Sequence, residues 1–253
     1  MHKKVIIPLI VVCALLAGNN ALAQNGPGGV SNNLQLWLRA DAGVTGTTNV
    51  SAWADQSPNG NDATQGAGAE QPSLITGGIN GNPVIEFDGA DDDLTGAAGL
   101  NTNEIIVVLN PANDFTFESA DEVFLGYNTQ QFSGISLGET GFGGTDEVIT
   151  FDVNGNFTTA LADPNFTFSG TNILSSRAND ATTPTDQELS LNGGPNLNNG
   201  ILIGTFENFS GQYILGDNPT EIEAYNGQIA EVISYSSRLS DADRRDIETY
   251  LAI

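Results

Sequence analysis

The sequence predicts an all-β fold, a two-sheet antiparallel jelly-roll sandwich followed by one short helix. Short alternating or apolar runs are separated by Gly, Asn, Asp and Pro, as in LQLWLR (34–39), PVIEF (83–87), EIIVVL (104–109) and QIAEVISYS (228–236). The dipeptide Asn-Gly, which favours tight hairpin turns, recurs seven times. About a dozen such strands, with no shift in composition between them, predict a single sandwich domain.

The N-terminus predicts export. A basic MHKK, an apolar VIIPLIVVCALLAG and a small-residue ALAQ pattern indicate a signal peptide over residues 1–23, cleaved after Ala23. Residues 24–29, QNGPGG, read as a flexible leader, and the sandwich domain occupies residues 30–253. The apolar run is too short to span a bilayer comfortably. We therefore expect a secreted protein, extracellular or at the cell surface, with no membrane insertion.

The composition of the mature chain limits which partners it can bind and which metal sites it can form. Without residues 1–23 the chain has no histidine, cysteine or lysine, and five arginines face 31 acidic residues, a net charge of −26. Nucleic acids and anionic membranes are therefore excluded as partners, since both attract cationic side chains. Zinc sites built on histidine or cysteine are excluded as well. So many carboxylates either keep the protein soluble or create a requirement for cations.

The C-terminal residues predict the helix. Ser240 is placed to cap it, and Asp243 follows as the short form of a capping-box partner. An apolar face for packing on the sandwich is predicted from Ala242, Ile247, Tyr250 and Leu251. Arg244 and Arg245 lie among acidic residues, which predicts an exposed and self-paired helix surface.

Four stretches together resemble a known family. They are LQLWLRADAGV (34–44), VSAWADQSPNGNDATQ (50–65), INGNPVIEFDGADDDL (79–94) and GQIAEVISYSSRLSDADRRDIETYLAI (227–253). Their order and spacing resemble the laminin-G-like, concanavalin A-like jelly-roll domains of secreted Bacteroidota surface proteins. That resemblance implies adhesion, with glycans or extracellular and cell-surface proteins as partners. Domains of this kind often hold a calcium ion at a sheet edge, so the resemblance leaves a calcium site open for this chain.

The segment DGADDDL (88–94) carries the candidate metal ligands Asp88, Asp91, Asp92 and Asp93. In the preceding strand Ile85 and Phe87 are expected to face the core and Glu86 the other side. Calcium takes six to eight oxygen ligands and tolerates irregular loops. Two interpretations remain open at this stage: a calcium site that uses some of these carboxylates, or a solvated turn in which an aspartate caps backbone amides.

Aromatic residues are the candidates for stacking against sugar rings. Trp53, Tyr127, Tyr213 and Tyr225 adjoin polar loop residues and are weak ligand-binding candidates. For Trp53 the favoured interpretation is packing beneath its loop, and Trp37 is expected in the core.

No catalytic residues are predicted. Jelly-roll glycoside hydrolases use a Glu-x-Asp-x-x-Glu pattern on one strand face, and its nearest approaches here, ESADE (118–122), DQE (186–188) and EIE (221–223), each lack a member or the spacing. We therefore expect a non-catalytic binding module. The alternatives are a structural subunit or spacer of an extracellular appendage or matrix, which would associate with itself, and, less favoured, a glycoside hydrolase or lyase of jelly-roll fold.

Overall fold

The computed structural model of the protein describes residues 25–100, 102–112, 122–127, 134–138, 147–151, 157–162, 170–178, 187–194, 212–217 and 224–252. Across these residues the chain forms sixteen strands, one α-helix and two 3-10 turns, Pro27–Gly29 and Ile79–Gly81. The strands and the helix are β1 (Leu34–Arg39), β2 (Val44–Thr45), β3 (Ala52–Trp53), β4 (Ala63–Thr64), β5 (Ser73–Ile75), β6 (Val84–Asp88), β7 (Leu94–Ala98), β8 (Glu104–Pro111), β9 (Glu122–Tyr127), β10 (Gly134–Gly138), β11 (Glu147–Phe151), β12 (Phe157–Ala162), β13 (Asn172–Ala178), β14 (Gln187–Leu191), β15 (Gln212–Leu215), β16 (Asn226–Tyr235) and α1 (Asp241–Leu251).

The strands form two antiparallel sheets. One has seven strands in the order β14-β13-β8-β16-β6-β5, with β1 also paired to β16. The other has nine strands in the order β12-β11-β10-β9-β15-β7-β4-β3-β2. This architecture confirms the predicted two-sheet sandwich with a C-terminal helix.

The main core lies between the two sheets. The seven-stranded sheet contributes alternate residues of its strands, among them Leu36, Ile85, Phe87, Val107 and Val232, and the nine-stranded sheet contributes Trp53, Ala63, Leu94, Tyr213 and Leu215. Ile85 and Phe87 are fully buried while Glu86 between them is half-buried, as the alternation predicts.

The opposite face of the seven-stranded sheet, called here the outer face, is partly covered by α1. On this face Trp37, Ile106 and Ile233 form a second apolar cluster with Ile247 of the helix. The central strand β8 is therefore buried on both sides, because Val107 and Leu109 face the main core while Ile106 faces the helix. That burial explains its unbroken apolar run, since neither side of the strand meets water.

The helix begins as predicted, because the Ser240 hydroxyl accepts a hydrogen bond from the Asp243 amide at 3.1 Å. Two expectations for α1 are wrong in detail. Ala242 is exposed, because its position is turned well away from the face that buries Ile247. Arg244 does pair with Glu248 of the same helix at 3.7 Å, yet its side chain is only 14% exposed because it packs over β14 and donates to Ser190.

The predicted leader and signal peptide are described only in part. Pro27–Gly29 forms a 3-10 turn in which Pro27 is buried, and Gly28 lies so close to the Asp246 backbone of α1 that a Cβ atom would fall 2.7 Å from it. Residues 1–24, which include the whole predicted signal peptide, lie outside the described residues. Within the part of the chain that the structure describes, no helix is long and apolar enough to cross a membrane.

Candidate functional site

A row of polar residues crosses four neighbouring strands of the outer face. The strand register places Asn110 of β8 beside Gln228 of β16, Gln228 beside Glu86 of β6, and Glu86 beside Ser73 of β5. Gln228 Nε2 donates to Glu86 Oε1 at 3.0 Å, and Asn110 Nδ2 lies 3.5 Å from Gln228 Oε1. At about 4.8 Å between strands, the row extends roughly 14 Å.

The row forms the floor of a cleft of about 200 Å³, called here the polar cleft. Asp88, Asp92 and Asn226 also line it, and Asn226 stands opposite Asp88 in the β6–β16 register. The cleft therefore offers amide, hydroxyl and carboxylate groups together, which can both donate hydrogen bonds to a ligand and accept them.

The acidic turn at the end of β6 closes one side of the polar cleft. Gly89 turns the chain with φ of +75°, and a Cβ atom there would lie 2.7 Å from the Asn226 side chain. Glycine is required here both by its positive φ and by the close approach of β16. The Asp88 carboxylate accepts from the Ala90 amide at 2.9 Å, and the Asp92 carboxylate accepts from the Asp88 amide at 3.0 Å.

The turn brings together three of the four predicted metal ligands. One carboxylate oxygen from each of Asp88, Asp91 and Asp92 lies within 4.8 Å of the other two. Asp93 points elsewhere, and its carboxylate accepts a hydrogen bond from Gln65 Nε2 at 2.8 Å. Burial, together with the negative charges of Asp88 and Asp91, raises the pKa of Asp92 to about 6, although the hydrogen bond from the Asp88 amide opposes that rise. Three converging carboxylates of this kind suit an oxygen-liganded cation such as calcium.

A second concavity on the outer face lies beside the C-terminal end of α1 and is called here the α1 pocket. Its volume is about 320 Å³, and Glu231 of β16 lies in its wall. Trp37 Nε1 donates to Glu231 Oε1 at 2.5 Å, and the Tyr250 hydroxyl donates to Oε2 at 3.3 Å. Burial raises the pKa of Glu231 to about 7, although the Trp37 bond and the Arg39 charge oppose that rise.

A second buried glutamate lies beneath the N-terminal end of α1. Glu104 of β8 is fully buried, and its Oε2 accepts from the Leu239 amide at 2.7 Å. Burial raises its pKa to about 7, opposed by the Leu239 amide and by the positive charges of Arg177, Arg244 and Arg238. Arg177 in turn pairs with Asp241 at the start of the helix at 2.9 Å. These contacts join the start of α1 to β8 and β13.

The predicted aromatic candidates lie inside the sandwich. Trp53, Tyr213 and Tyr225 are each 0% exposed, so their rings pack in the main core and do not face solvent. The Tyr213 hydroxyl donates to the Asn61 carbonyl oxygen, which ties a core residue to the loop after β3. Tyr127 lies in β9 opposite Tyr213 in the register, and its side chain lies outside the described residues. Trp37 is buried as expected, but on the outer face under α1.

Sequence reasoning missed Asn110, Gln228 and Glu231 as site residues. Each is a polar residue in a strand whose neighbours are apolar, and that interruption is the signal that could have identified them. Their proximity to Glu86 and Trp37 depends on strand pairing across more than a hundred residues, which local periodicity does not encode.

Comparison with protein-family models and with curated protein sequences finds no match. Solved structures with a similar fold are found. Domain 4 of AbnA, a GH43 extracellular arabinanase from Geobacillus stearothermophilus in complex with arabinotriose, is 14% identical with a TM-score of 0.56, over 85% of this chain and 98% of that domain. The receptor binding domain of botulinum neurotoxin D is 14% identical with a TM-score of 0.54, over 87% of this chain and 52% of that one.

The sialidase of Trypanosoma rangeli is also similar, at 14% identity and a TM-score of 0.52, over 87% of this chain and 33% of the sialidase. The neighbours are jelly-roll-like β-sandwich domains, which agrees with the fold predicted from the sequence. At such low identity the likeness shows the fold alone.

Proposed function

We propose that the protein is a secreted, non-catalytic binding module that recognises glycans through the polar cleft, with calcium at the acidic turn. The observation that carries this proposal is the row formed by Ser73, Glu86, Gln228 and Asn110 on adjacent strands. Sugar hydroxyls both donate and accept hydrogen bonds, and a row of amide, hydroxyl and carboxylate groups complements them. The arabinanase domain of similar fold was solved in complex with arabinotriose, which supports a glycan as the ligand.

Three of the predicted metal ligands meet at the edge of this cleft, so calcium is part of the proposal. A bound calcium ion would neutralise the mutual repulsion of Asp88, Asp91 and Asp92. It would also hold the turn that positions Asp88 opposite Asn226. The resemblance of four sequence stretches to laminin-G-like domains supports the same assignment, and we propose that this sandwich is of that type.

A glycan array with and without calcium tests the binding function. We expect binding to oligosaccharides, with arabino-oligosaccharides included because of the arabinanase neighbour. Asn110→Ala and Gln228→Ala should each weaken binding by about tenfold, since each loses a hydrogen bond in a partly desolvated cleft. Asn32→Ala is the matched control, because Asn32 is an exposed asparagine outside the cleft. The same affinity for cleft variants and control would refute the polar cleft as the site.

Calorimetric titration with calcium chloride tests the metal. Asp91→Asn and Asp92→Asn should abolish the heat of binding and the calcium-dependent rise in melting temperature, because each removes a converging carboxylate. Asp93→Asn is the control, since Asp93 lies in the same acidic run but contacts Gln65. Equal loss in all three variants would point to the general charge of the loop and not to a site made by three ligands.

The absence of catalysis is tested by product analysis. Incubation with arabinan, laminarin, agar and alginate should release no oligosaccharides. Release that disappears in a Glu231→Gln variant would contradict the non-catalytic proposal and identify Glu231 as an acid of a jelly-roll enzyme.

A further inference from the structure

The α1 pocket is separate from the polar cleft and has a different chemical character. Its walls are largely apolar, formed by Ile79, Val108, Ala230 and Leu251, and they enclose about 320 Å³. That volume lies within the range of small-ligand sites, in which an apolar lining with a few polar groups is usual. The pocket opens between the C-terminal end of α1 and the 3-10 turn Ile79–Gly81.

Glu231 is one of several polar residues that line this pocket, and its carboxylate is held in one orientation. Each oxygen of Glu231 accepts one hydrogen bond, Oε1 from Trp37 and Oε2 from Tyr250. A carboxylate can accept about four hydrogen bonds, so Glu231 keeps the capacity to accept more from a ligand in the pocket. The ring of Tyr250 stands edge-on to Trp37 at 6.4 Å, which fixes the two donors relative to each other.

The charged residues of the pocket determine which sign of ligand charge it favours. Arg39 and Asp41 form a two-bond pair, Nε to Oδ1 at 2.9 Å and Nη2 to Oδ2 at 2.7 Å, so the guanidinium charge is balanced by Asp41. The guanidinium also lies over the Trp37 ring at 5.2 Å, which holds it at the side of the pocket. The carboxylate of Glu231 remains as the charge that a ligand would meet, within a chain of net charge −24.

We propose that the α1 pocket binds a primary alkylammonium group, with the ammonium on the Glu231 carboxylate and its methylene stem against Ile79, Val108 and Leu251. An ammonium group donates three hydrogen bonds, which matches the remaining acceptor capacity of Glu231. The stem gains by burial against apolar walls while the cation is paired in a partly desolvated site. Such a group is carried by a free small amine or by a lysine side chain of another protein.

The test is run at about pH 8, where Glu231 is ionised and an alkylammonium keeps its proton. It uses butylammonium and its neutral counterpart 1-butanol as probes of the purified protein, and follows the two indole N–H signals in a ¹⁵N correlation spectrum. The chain contains two tryptophans, Trp37 and Trp53. Because Trp37 donates to Glu231 and Trp53 is buried in the main core, butylammonium should shift the Trp37 signal and leave the Trp53 signal in place. Absence of a Trp37 shift, or equal affinity for 1-butanol, would overturn the proposal.

Two variants locate the site. Glu231→Gln keeps an acceptor for Trp37 but removes the charge, and it should weaken butylammonium binding by about tenfold while 1-butanol is unaffected. Ala230→Leu keeps the charge and fills the pocket from the sheet side, so it should weaken both probes. Glu86→Gln is the matched control in the polar cleft and should leave butylammonium binding unchanged. Unchanged butylammonium affinity in both pocket variants would refute the site.

A third probe distinguishes a free small amine from a lysine side chain as the ligand. Nα-acetyl-lysine amide presents the same ammonium on a stem attached to a peptide backbone. Binding as tight as butylammonium supports a lysine side chain as the ligand, whereas binding of butylammonium alone supports a free amine. Glycan binding measured on the same variants keeps this proposal separate from the proposed function, because Glu231→Gln should not change it.

Discussion

Glu104 and Glu231 are two glutamates on the same outer face, and burial raises the pKa of each to about 7. Their surroundings differ. Glu104 is enclosed by the Leu239 amide, three arginines and the start of α1, whereas Glu231 is held by two aromatic side chains in the wall of a pocket. The raised pKa reflects burial in both cases, whereas Glu231 also lines a pocket that a ligand can enter.

The largest effect is expected from Glu104→Ala. The substitution removes a buried carboxylate from among Arg177, Arg244 and Arg238 and leaves the Leu239 amide without its acceptor. We expect a loss of about 3–5 kcal/mol in the free energy of unfolding, measured by urea denaturation. Glu86→Ala is the control, because Glu86 is a half-buried glutamate on the same face. An equally small loss of unfolding free energy in both variants would show that Glu104 is not essential to the attachment of α1.

Glu231→Ala should cost less, about 1–3 kcal/mol, because it leaves Trp37 Nε1 without its acceptor while water can enter from the pocket. The same denaturation experiment measures it. If Glu231→Ala lost as much unfolding free energy as Glu104→Ala, Glu231 would contribute as much to stability as Glu104 does, which would contradict the expected difference.

The raised pKa values of Glu104 and Glu231 should make the stability of the protein depend on pH. Both glutamates keep their protons in the folded state up to about pH 7, whereas the unfolded chain loses them near the ordinary value of 4.5. The folded state therefore binds more protons in this window, and the free energy of unfolding falls as pH rises from 4.5 to 7. The groups that face Glu104 are Arg177, Arg244 and Arg238, and those that face Glu231 are Arg39, Asp41 and Tyr250.

Denaturation at intervals between pH 4.5 and 7.5 measures this slope. Glu104→Gln and Glu231→Gln should each reduce the fall in unfolding free energy across this pH range by on the order of 2 kcal/mol. Butylammonium should reduce the contribution of Glu231 to this slope and leave the contribution of Glu104 unchanged, because Glu104 does not line the α1 pocket. Slopes that match the wild type in both variants would show that the general excess of carboxylates, and not these two groups, sets the pH dependence.

The smallest effect is expected from Tyr250→Phe. It removes one hydrogen bond of 3.3 Å to Glu231 and keeps the ring that packs edge-on against Trp37. We expect a cost of about 0.5–1 kcal/mol in the free energy of unfolding. A much larger cost would indicate that the hydroxyl, and not the ring, holds α1 on the sheet.

The parts of the molecule that local pattern encodes were predictable from the sequence. Alternation placed Ile85 and Phe87 in the core, and Ser240 marked the start of α1. The Asp88 to Asp92 turn followed from Gly89 and its neighbours. The polar interruptions at Asn110, Gln228 and Glu231 could have marked these positions as unusual. Their assembly into a cleft and the burial of Glu104 and Glu231 could not be predicted, because a polar residue in a strand is expected to face solvent until the element that covers it is known. Here α1 covers part of the outer face, and strand register decides which polar residues meet.

The position of β16 has a consequence for the order of folding. Its whole length pairs with β8 on one side, and on the other side its first residues pair with β6 and its later residues with β1. The middle of the seven-stranded sheet is thus supplied by residues 226–235, which are synthesised after every other strand of that sheet. Until they are available β1 has no partner strand among the described residues, and contacts of such sequence separation form slowly. In the nascent chain β1 therefore stays unpaired in this sheet until β16 is synthesised, whereas β5 and β6 can already pair with each other.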